Sequence, residues 1–118
     1  MKIEKLAAAE GMPGYFPPGA VKTEGGFHIC TMAEGENVSL AVFETSGGEE
    51  KQRIFPFPEG SRLGNMRTIR LLGGDFAGLS YSLICDGTEQ PDPLWTRFYG
   101  PGDLGRAVPC EKSAEIPL

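Results

Sequence analysis

The chain has 118 residues, enough for one domain with a modest hydrophobic core. Its net charge of −5 and its scattered lysines and arginines argue against a nucleic-acid surface, which needs clustered positive charge. No apolar run reaches the length that a membrane span requires. Seventeen glycines and ten prolines leave little room for long helices and are typical of turns in antiparallel β proteins.

Residues 1–14 are predicted to be a leader ahead of the folded module. The short apolar stretch 6–9 is closed by Glu10, so it is too short for the hydrophobic region of a secretory signal. We interpret the segment as one helical turn or a disordered stretch. Because the cysteines are few and no secretion signal is found, the sequence favours a cytoplasmic location.

Short strands separated by turn residues are predicted between residues 15 and 94. Apolar residues recur at every second position of the segment beginning at Val38, as in a half-buried strand. Glycine pairs and Asp86-Gly87 supply turns, because glycine adopts positive φ without strain. Pro56 cannot donate a ladder hydrogen bond, which predicts that its strand lies at an edge or ends there. The predicted strands are 20–23, 27–32, 38–44, 51–57, 66–71 and 79–85.

Six or seven such strands favour an all-β, antiparallel, immunoglobulin-like sandwich. A β-barrel is the competing architecture, because the same alternation fits both. Prolines and glycines recur from residue 90 onward and forbid long elements there. We therefore predict a sandwich over residues 15–94 and an irregular linker over residues 95–118.

The three cysteines are Cys30, Cys85 and Cys110. An odd number without C-x-x-C spacing argues against a disulfide framework and against a structural zinc site. Cys30 and Cys85 lie in apolar strand segments, where a free cysteine packs as a small hydrophobic residue. Immunoglobulin domains join their sheets by a disulfide, so a bridge between these two is the alternative. We expect both to be reduced and buried.

Catalysis needs a base beside a nucleophile, paired carboxylates or a metal. The single histidine, His28, lies in an apolar segment and is predicted to face solvent or a sheet edge. One histidine cannot form a His-rich metal site, and the glycine pairs lack a phosphate-binding spacing. We therefore expect no catalytic residue, no metal and no cofactor. Six carboxylates are interpreted as solvated charges in turns and loops: Glu49, Glu50, Asp86, Glu89, Asp92 and Asp103.

The only tryptophan, Trp95, lies in an irregular segment with Arg97, Phe98 and Tyr99. Aromatic rings stack on the flat C–H faces of sugars, while polar neighbours bond to sugar hydroxyls. Exposed aromatic clusters also mark protein interfaces, and a third interpretation has Trp95 covering one end of the sandwich. These four residues are the predicted carbohydrate-binding or interdomain contact.

Several segments together resemble carbohydrate-binding module family 48. Their order and spacing run along the chain from about residue 17 to residue 106. The last segment is similar to the linker that precedes the catalytic barrel of pullulanase- and isoamylase-like enzymes. The segments are 18–20 (PGA), 24–29 (EGGFHI), 38–43 (VSLAVF), 81–87 (YSLICDG), 91–93 (PDP) and 97–106 (RFYGPGDLGR).

The resemblance implies an early-set immunoglobulin-like module placed before a glycoside hydrolase family 13 barrel that acts on starch, glycogen or pullulan. The implied partners are the protein's own C-terminal catalytic domain, reached through the linker 95–118, and, more weakly, α-glucan oligosaccharides. Family members that bind glucan have a tryptophan on the strand corresponding to 66–69, where this chain has Met66. That departure favours docking over sugar binding. A generic immunoglobulin-like protein-interaction domain is the alternative.

Overall fold

The fold is an all-β sandwich in which two sheets pack face to face. The computed structural model describes residues 2–12, 19–23, 25–73 and 78–94, together with the backbone of residues 114–115. The predicted fold class is thereby confirmed, and the barrel alternative is wrong because the strands form two separate sheets. In the described part of the chain, no helix is long and apolar enough to cross a membrane.

Nine strands, β1 to β9, and two short 3-10 helices, η1 and η2, make up the described chain. They are η1 (Lys2–Lys5), β1 (Ala7–Glu10), β2 (Gly19–Thr23), β3 (Gly26–Met32), β4 (Val38–Ser46), β5 (Glu49–Pro56), η2 (Glu59–Ser61), β6 (Met66–Leu72), β7 (Leu79–Cys85), β8 (Thr88–Gln90) and β9 (Ala114–Glu115). The first sheet has the order β1-β6-β3-β2-β9 and the second the order β5-β4-β7-β8. Neighbouring strands are antiparallel except β2 and β9, which are parallel.

The connectivity is that of an immunoglobulin-like Greek key. β2, β3 and β6 occupy the places of strands A, B and E, while β5, β4, β7 and β8 occupy those of C′, C, F and G. The N-terminal β1 lies beside β6, at the edge where strand D lies in immunoglobulin domains. Successive strands therefore belong to different sheets at four places: β3 and β4, β5 and β6, β6 and β7, and β8 and β9.

Two tight hairpins set the register of the second sheet. Gly47 and Gly48 have φ of 61° and 82° at the turn between β4 and β5. Asp86 and Gly87 have φ of 48° and 87° between β7 and β8. Two successive positive φ values define a type I′ turn, whose twist matches that of the flanking strands. The turns predicted at both places are confirmed.

The core lies between the two sheets and consists mainly of alternate side chains of the facing strands, with four residues from the segments beside them. Burying these apolar surfaces is the main stabilising contribution to the fold. Its members are Ile3, Leu6, Ala20, Phe27, Ile29, Ala33, Val38, Leu40, Val42, Phe55, Phe57, Ile69, Leu71, Leu79, Tyr81, Leu83 and Cys85.

The N-terminal segment is part of this sandwich. Ile3 and Leu6 are buried in the core, and β1 adds an edge strand to the first sheet. The Glu44 carboxylate accepts the N–H of Ile3 at 2.8 Å, and the Arg53 guanidinium donates to the carbonyl of Leu6 at 2.7 Å. The sandwich therefore includes residues 2–10, which the sequence pattern places in a leader.

Candidate functional site

The four residues predicted to form the contact site are Trp95, Arg97, Phe98 and Tyr99, and all four lie outside the described residues. The described chain reaches Leu94, immediately before them. The structure therefore describes the anchor from which this segment departs.

The anchor is built around Asp92, which follows β8 and is only 1% exposed. Its Oδ1 accepts the Thr31 hydroxyl at 2.8 Å and the Leu94 N–H at 3.0 Å. Its Oδ2 accepts the Tyr81 hydroxyl at 2.6 Å. Both carboxylate oxygens are thus held by hydrogen bonds from groups of this chain.

The Asp92 anchor joins the two sheets. Thr31 belongs to β3 of the first sheet and Tyr81 to β7 of the second, and both are buried. A buried carboxylate is tolerated when donors replace its lost water, and such charge-assisted bonds are the stronger kind. The bond from the Leu94 N–H back to Asp92 also shapes a local turn. The chain is therefore held in place by the two sheets as far as Leu94.

The interpretation of Asp92 as a solvated loop carboxylate is wrong, because its side chain is buried between the sheets. Its hydroxyl partners are distant in sequence, so no local spacing could reveal them. The sequence feature that could have indicated a structural role for Asp92 is its position between Pro91 and Pro93. Two prolines restrict the backbone on either side of this short polar side chain.

The loop 33–37 at the end of β3 is held by two charged side chains. Arg67 is 1% exposed and donates to the carbonyl oxygens of Ala33 at 3.3 Å and Gly35 at 2.6 Å. Burial, followed by the nearby Arg62, lowers the pKa of Arg67. The Asp86 carboxylate accepts two backbone N–H groups of the same loop, at 3.2 and 2.9 Å. Both charged side chains therefore stabilise the loop by hydrogen bonds to its backbone.

His28 is fully buried, so its predicted position at solvent or a sheet edge is wrong. It lies on β3, which is flanked on both sides by β2 and β6. Its Nε2 accepts the Met12 N–H at 2.8 Å. Burial, with a smaller contribution from Arg70, lowers the pKa of His28 to about 4. Its imidazole is neutral at pH 7 and holds the backbone of Met12.

Cys30 and Cys85 are both free and buried. Cys85 points into the core, whereas Cys30 alternates with the core residue Ile29 and lies on the opposite, outer face of the first sheet. The two thiols therefore point in directions that exclude a bridge between them. Burial and then the Asp92 carboxylate raise the pKa of Cys30 to about 11, and burial raises that of Cys85.

An exposed apolar cluster lies at one end of the first sheet's outer face. Met32 is 49% exposed and Leu63 is 61% exposed. Met66 is their common neighbour, because it pairs with Met32 across β3 and β6 and with Leu63 across a two-residue turn. We call Met32, Leu63 and Met66 the methionine cluster. Within the described ranges, by contrast, no three His, Cys, Asp or Glu residues are placed to hold a metal ion.

Comparison with known proteins assigns no family to the chain. No protein-family model matches it, and no curated protein matches it. The resemblance carried by the six segments therefore stays a prediction.

Proposed function

We propose that the chain is a non-catalytic accessory module of an α-glucan-acting glycosidase of the pullulanase or isoamylase type. It would dock on the catalytic domain through Trp95, Arg97, Phe98 and Tyr99 and contact α-glucan only weakly. The observation that carries this proposal is the Asp92 anchor, which fixes the chain just before this aromatic segment.

An anchored segment suits a contact function. Binding loses free energy when a flexible loop must be ordered, and a fixed point of departure reduces that loss. The anchor connects to both sheets through Thr31 and Tyr81, so the residues just before the segment are tied to both layers of the fold. Binding residues on short irregular segments of a rigid scaffold are a common arrangement.

Two buried groups that could perform acid–base chemistry are engaged in structural contacts. The His28 Nε2 accepts a backbone N–H, and the Asp92 carboxylate accepts three hydrogen bonds. The raised pKa of Cys30 keeps its thiol protonated at neutral pH, which makes it a poor nucleophile. These contacts support a binding role for the module.

Three of the six segments that carry the family resemblance coincide with described elements of the sandwich. Residues 38–43 lie within β4, and residues 81–87 comprise most of β7 and its type I′ turn. Residues 91–93 contain Asp92 at the anchor. This coincidence supports the proposal, because the shared segments include the residues that shape the hairpin and the exit of the chain.

The first test is the coding sequence beyond the codon for Leu118. We expect the same reading frame to continue into motifs of a glycoside hydrolase family 13 barrel. A stop codon at that place, or further sandwich domains, would contradict the proposal.

The second test measures binding of this chain to that barrel, expressed separately. Trp95→Ala should weaken binding by at least about tenfold, because buried aromatic anchors dominate interface energies. Ile54→Ser is the matched control, since Ile54 is a 47% exposed apolar residue on β5, far from Leu94 in sequence. Equal affinities of the Trp95→Ala and control variants would exclude docking through Trp95.

The glucan contact is tested with maltoheptaose and β-cyclodextrin, following Trp95 fluorescence and backbone amide shifts together. Saturable shifts at Trp95, Phe98 and Tyr99 would establish a sugar site and replace docking as the main role. Flat titrations to millimolar ligand would remove the sugar platform from the isolated domain.

A generic protein-interaction domain is the second candidate function, and the methionine cluster favours it. Methionine adapts to varied apolar surfaces and is enriched at protein interfaces. In a binding assay with the partner of such a domain, Leu63→Ser would then abolish binding while Trp95→Ala leaves it intact. The reverse pattern would support docking through the aromatic segment.

A further inference from the structure

His28 lies at the centre of a contact that holds the chain following β1 against the outer face of the first sheet. On this face, His28 pairs with Val21 of β2 and Arg70 of β6, and both His28 and Val21 are fully buried. The Met12 N–H reaches the His28 Nε2 at 2.8 Å. The imidazole therefore accepts a hydrogen bond from the backbone of a residue that follows β1.

The neighbouring residues hold the same segment. The Arg70 Nε donates to the carbonyl oxygen of Glu10 at 3.0 Å. Between these two bonds, Gly11 packs so closely on β6 that a Cβ there would approach the Thr68 Cβ within 2.5 Å. Residues 10–12 are thus fixed by one bond from β6, one bond to β3 and close packing on β6.

The bond to Met12 determines the protonation state of His28. An imidazole nitrogen that accepts a hydrogen bond carries no proton, so Nε2 is bare and the ring is neutral. Protonation would convert Nε2 into a donor facing another donor, and the hydrogen bond could not persist. It would also create a buried cation beside the Arg70 guanidinium.

The charged and titratable groups around the ring oppose protonation or leave it unaffected. Arg70 is a permanent cation, and together with burial it lowers the pKa of His28 to about 4. Cys30, on the same face of β3, keeps its proton because its pKa is raised to about 11. Lys22 of β2 lies on the other face of the sheet, since it pairs with the core residue Phe27.

One carboxylate also lies near this segment, that of Glu10, but it points elsewhere. The Glu10 side chain lies against Gly60 of η2. Among the described residues, the Met12 N–H donates a hydrogen bond to the ring, and Arg70 is the charged group that lowers its pKa.

We propose that His28 is an acid-sensitive latch: protonation of its Nε2 releases residues 11–12, which follow β1, from the outer face of the first sheet while the sandwich itself stays folded. The sandwich persists because its two sheets are joined by the core and the Asp92 anchor, neither of which involves His28. Acid thereby uncovers a buried polar site on one sheet and loosens the connection that follows β1.

The test is an NMR titration of the full chain from pH 8 to pH 3. The His28 ring resonances and the hydrogen-exchange protection of the Met12 amide should change with one shared midpoint near pH 4. Amides of β4 and β7 should keep their protection through that midpoint. A His28 that titrates near pH 6.5, or Met12 protection that is lost only together with β4 and β7, would overturn the latch.

Three variants separate the latch from general acid effects. His28→Gln keeps an uncharged acceptor, so protection of the Met12 amide should no longer change near pH 4. Arg70→Gln should raise the His28 midpoint, because it removes the neighbouring cation, whereas Arg70→Lys should leave it close to the wild-type value. An unchanged Met12 transition in His28→Gln would assign it to another group. If His28→Gln does not fold, the comparison of Arg70→Gln with Arg70→Lys still decides whether His28 controls the transition.

Discussion

Two buried polar centres lie on opposite sides of the first sheet and are built differently. Between the sheets, Asp92 accepts three hydrogen bonds, two of them from hydroxyl groups on different sheets. On the outer face, the His28 ring accepts the backbone N–H of Met12, which belongs to a connecting segment. The first centre uses a strong acceptor to join core elements, whereas the second uses a titratable acceptor to hold a connection. Both centres are buried to a similar extent. The contact at Asp92 stabilises the packing of the two sheets, whereas the contact at His28 holds a connecting segment in a way that depends on pH.

The largest expected effect is that of removing the Asp92 carboxylate. Asp92→Ala leaves the Thr31 and Tyr81 hydroxyls and the Leu94 N–H without their acceptor. Buried donors without partners are costly, so we expect a loss of roughly 3–4 kcal/mol in the free energy of unfolding, measured by urea denaturation. Asp86→Ala is the control, because Asp86 is exposed and accepts only backbone N–H groups of a surface loop; it should cost about 1 kcal/mol. Equal losses would show that the Asp92 anchor is no stronger than a loop contact.

The His28 centre should make stability depend on pH. The pKa of His28 is lowered in the folded state, so the unfolded chain binds a proton more readily and stability falls as pH decreases. The loss should begin near pH 6.5, continue to about pH 4 and then level off, because below that pH both states are protonated. The full shift corresponds to about 3 kcal/mol in the free energy of unfolding.

Urea denaturation at several pH values measures this dependence, with His28→Gln as the control. The variant should lack the part of the decline between pH 6.5 and pH 4 that His28 causes. A decline of the same size in both proteins would assign the effect to the carboxylates.

A smaller effect is expected when one donor of the Asp92 anchor is removed. Tyr81→Phe deletes the hydroxyl that donates to Asp92 Oδ2 while keeping the ring in the core. We expect a loss of about 1–2 kcal/mol, because the carboxylate loses one strong hydrogen bond but keeps those from Thr31 and Leu94. Urea denaturation of the single variants and of Tyr81→Phe with Asp92→Ala forms a double-mutant cycle. Additive losses would contradict direct coupling of the two residues.

The smallest effect concerns thiol reactivity, with no expected change in stability. The pKa of Cys30 rises from 9.0 to about 11. At a given pH below 9, its thiolate, which is the reactive form, is therefore about one hundredth as abundant as that of an unperturbed cysteine. In a Cys110→Ser background, both buried cysteines should therefore react very slowly with Ellman's reagent at pH 8 in the native protein. Both should react quickly in urea. Rapid native labelling of Cys30 would show that the outer face of the first sheet opens readily at neutral pH.

The strands themselves were largely predictable. The observed bounds of β2, β3, β4, β6 and β7 agree with the predicted strands to within two residues, because period-two alternation and turn glycines are local signals. β5 ends at Pro56 and lies at a sheet edge, as the missing N–H of proline predicts. β1, β8 and β9 were not predicted, since these short strands show no alternation and depend on a partner strand for their hydrogen bonds.

The functional prediction also depended on a short stretch of sequence, residues 95–99. Trp95 and its neighbours were selected for their chemistry and lie outside the described residues, so the contact role stays a prediction. Asp92 and His28 were both misjudged, one as a solvated charge and the other as an exposed strand residue. Each owes its position to partners far along the chain or to a segment crossing the sheet, which no spacing in the sequence encodes.

The sequence by itself determined where strands and turns form, because alternation and glycine act over a few residues. The tertiary structure alone decided which faces of those strands are buried. Alternation places His28 and Cys30 on the face of β3 opposite the core, yet both are covered there. The tertiary structure likewise decided that Cys30 and Cys85 point to different layers and that Asp92 lies between the sheets. The reason is that burial depends on what packs against a face, and hydrogen bonding on which distant groups arrive there.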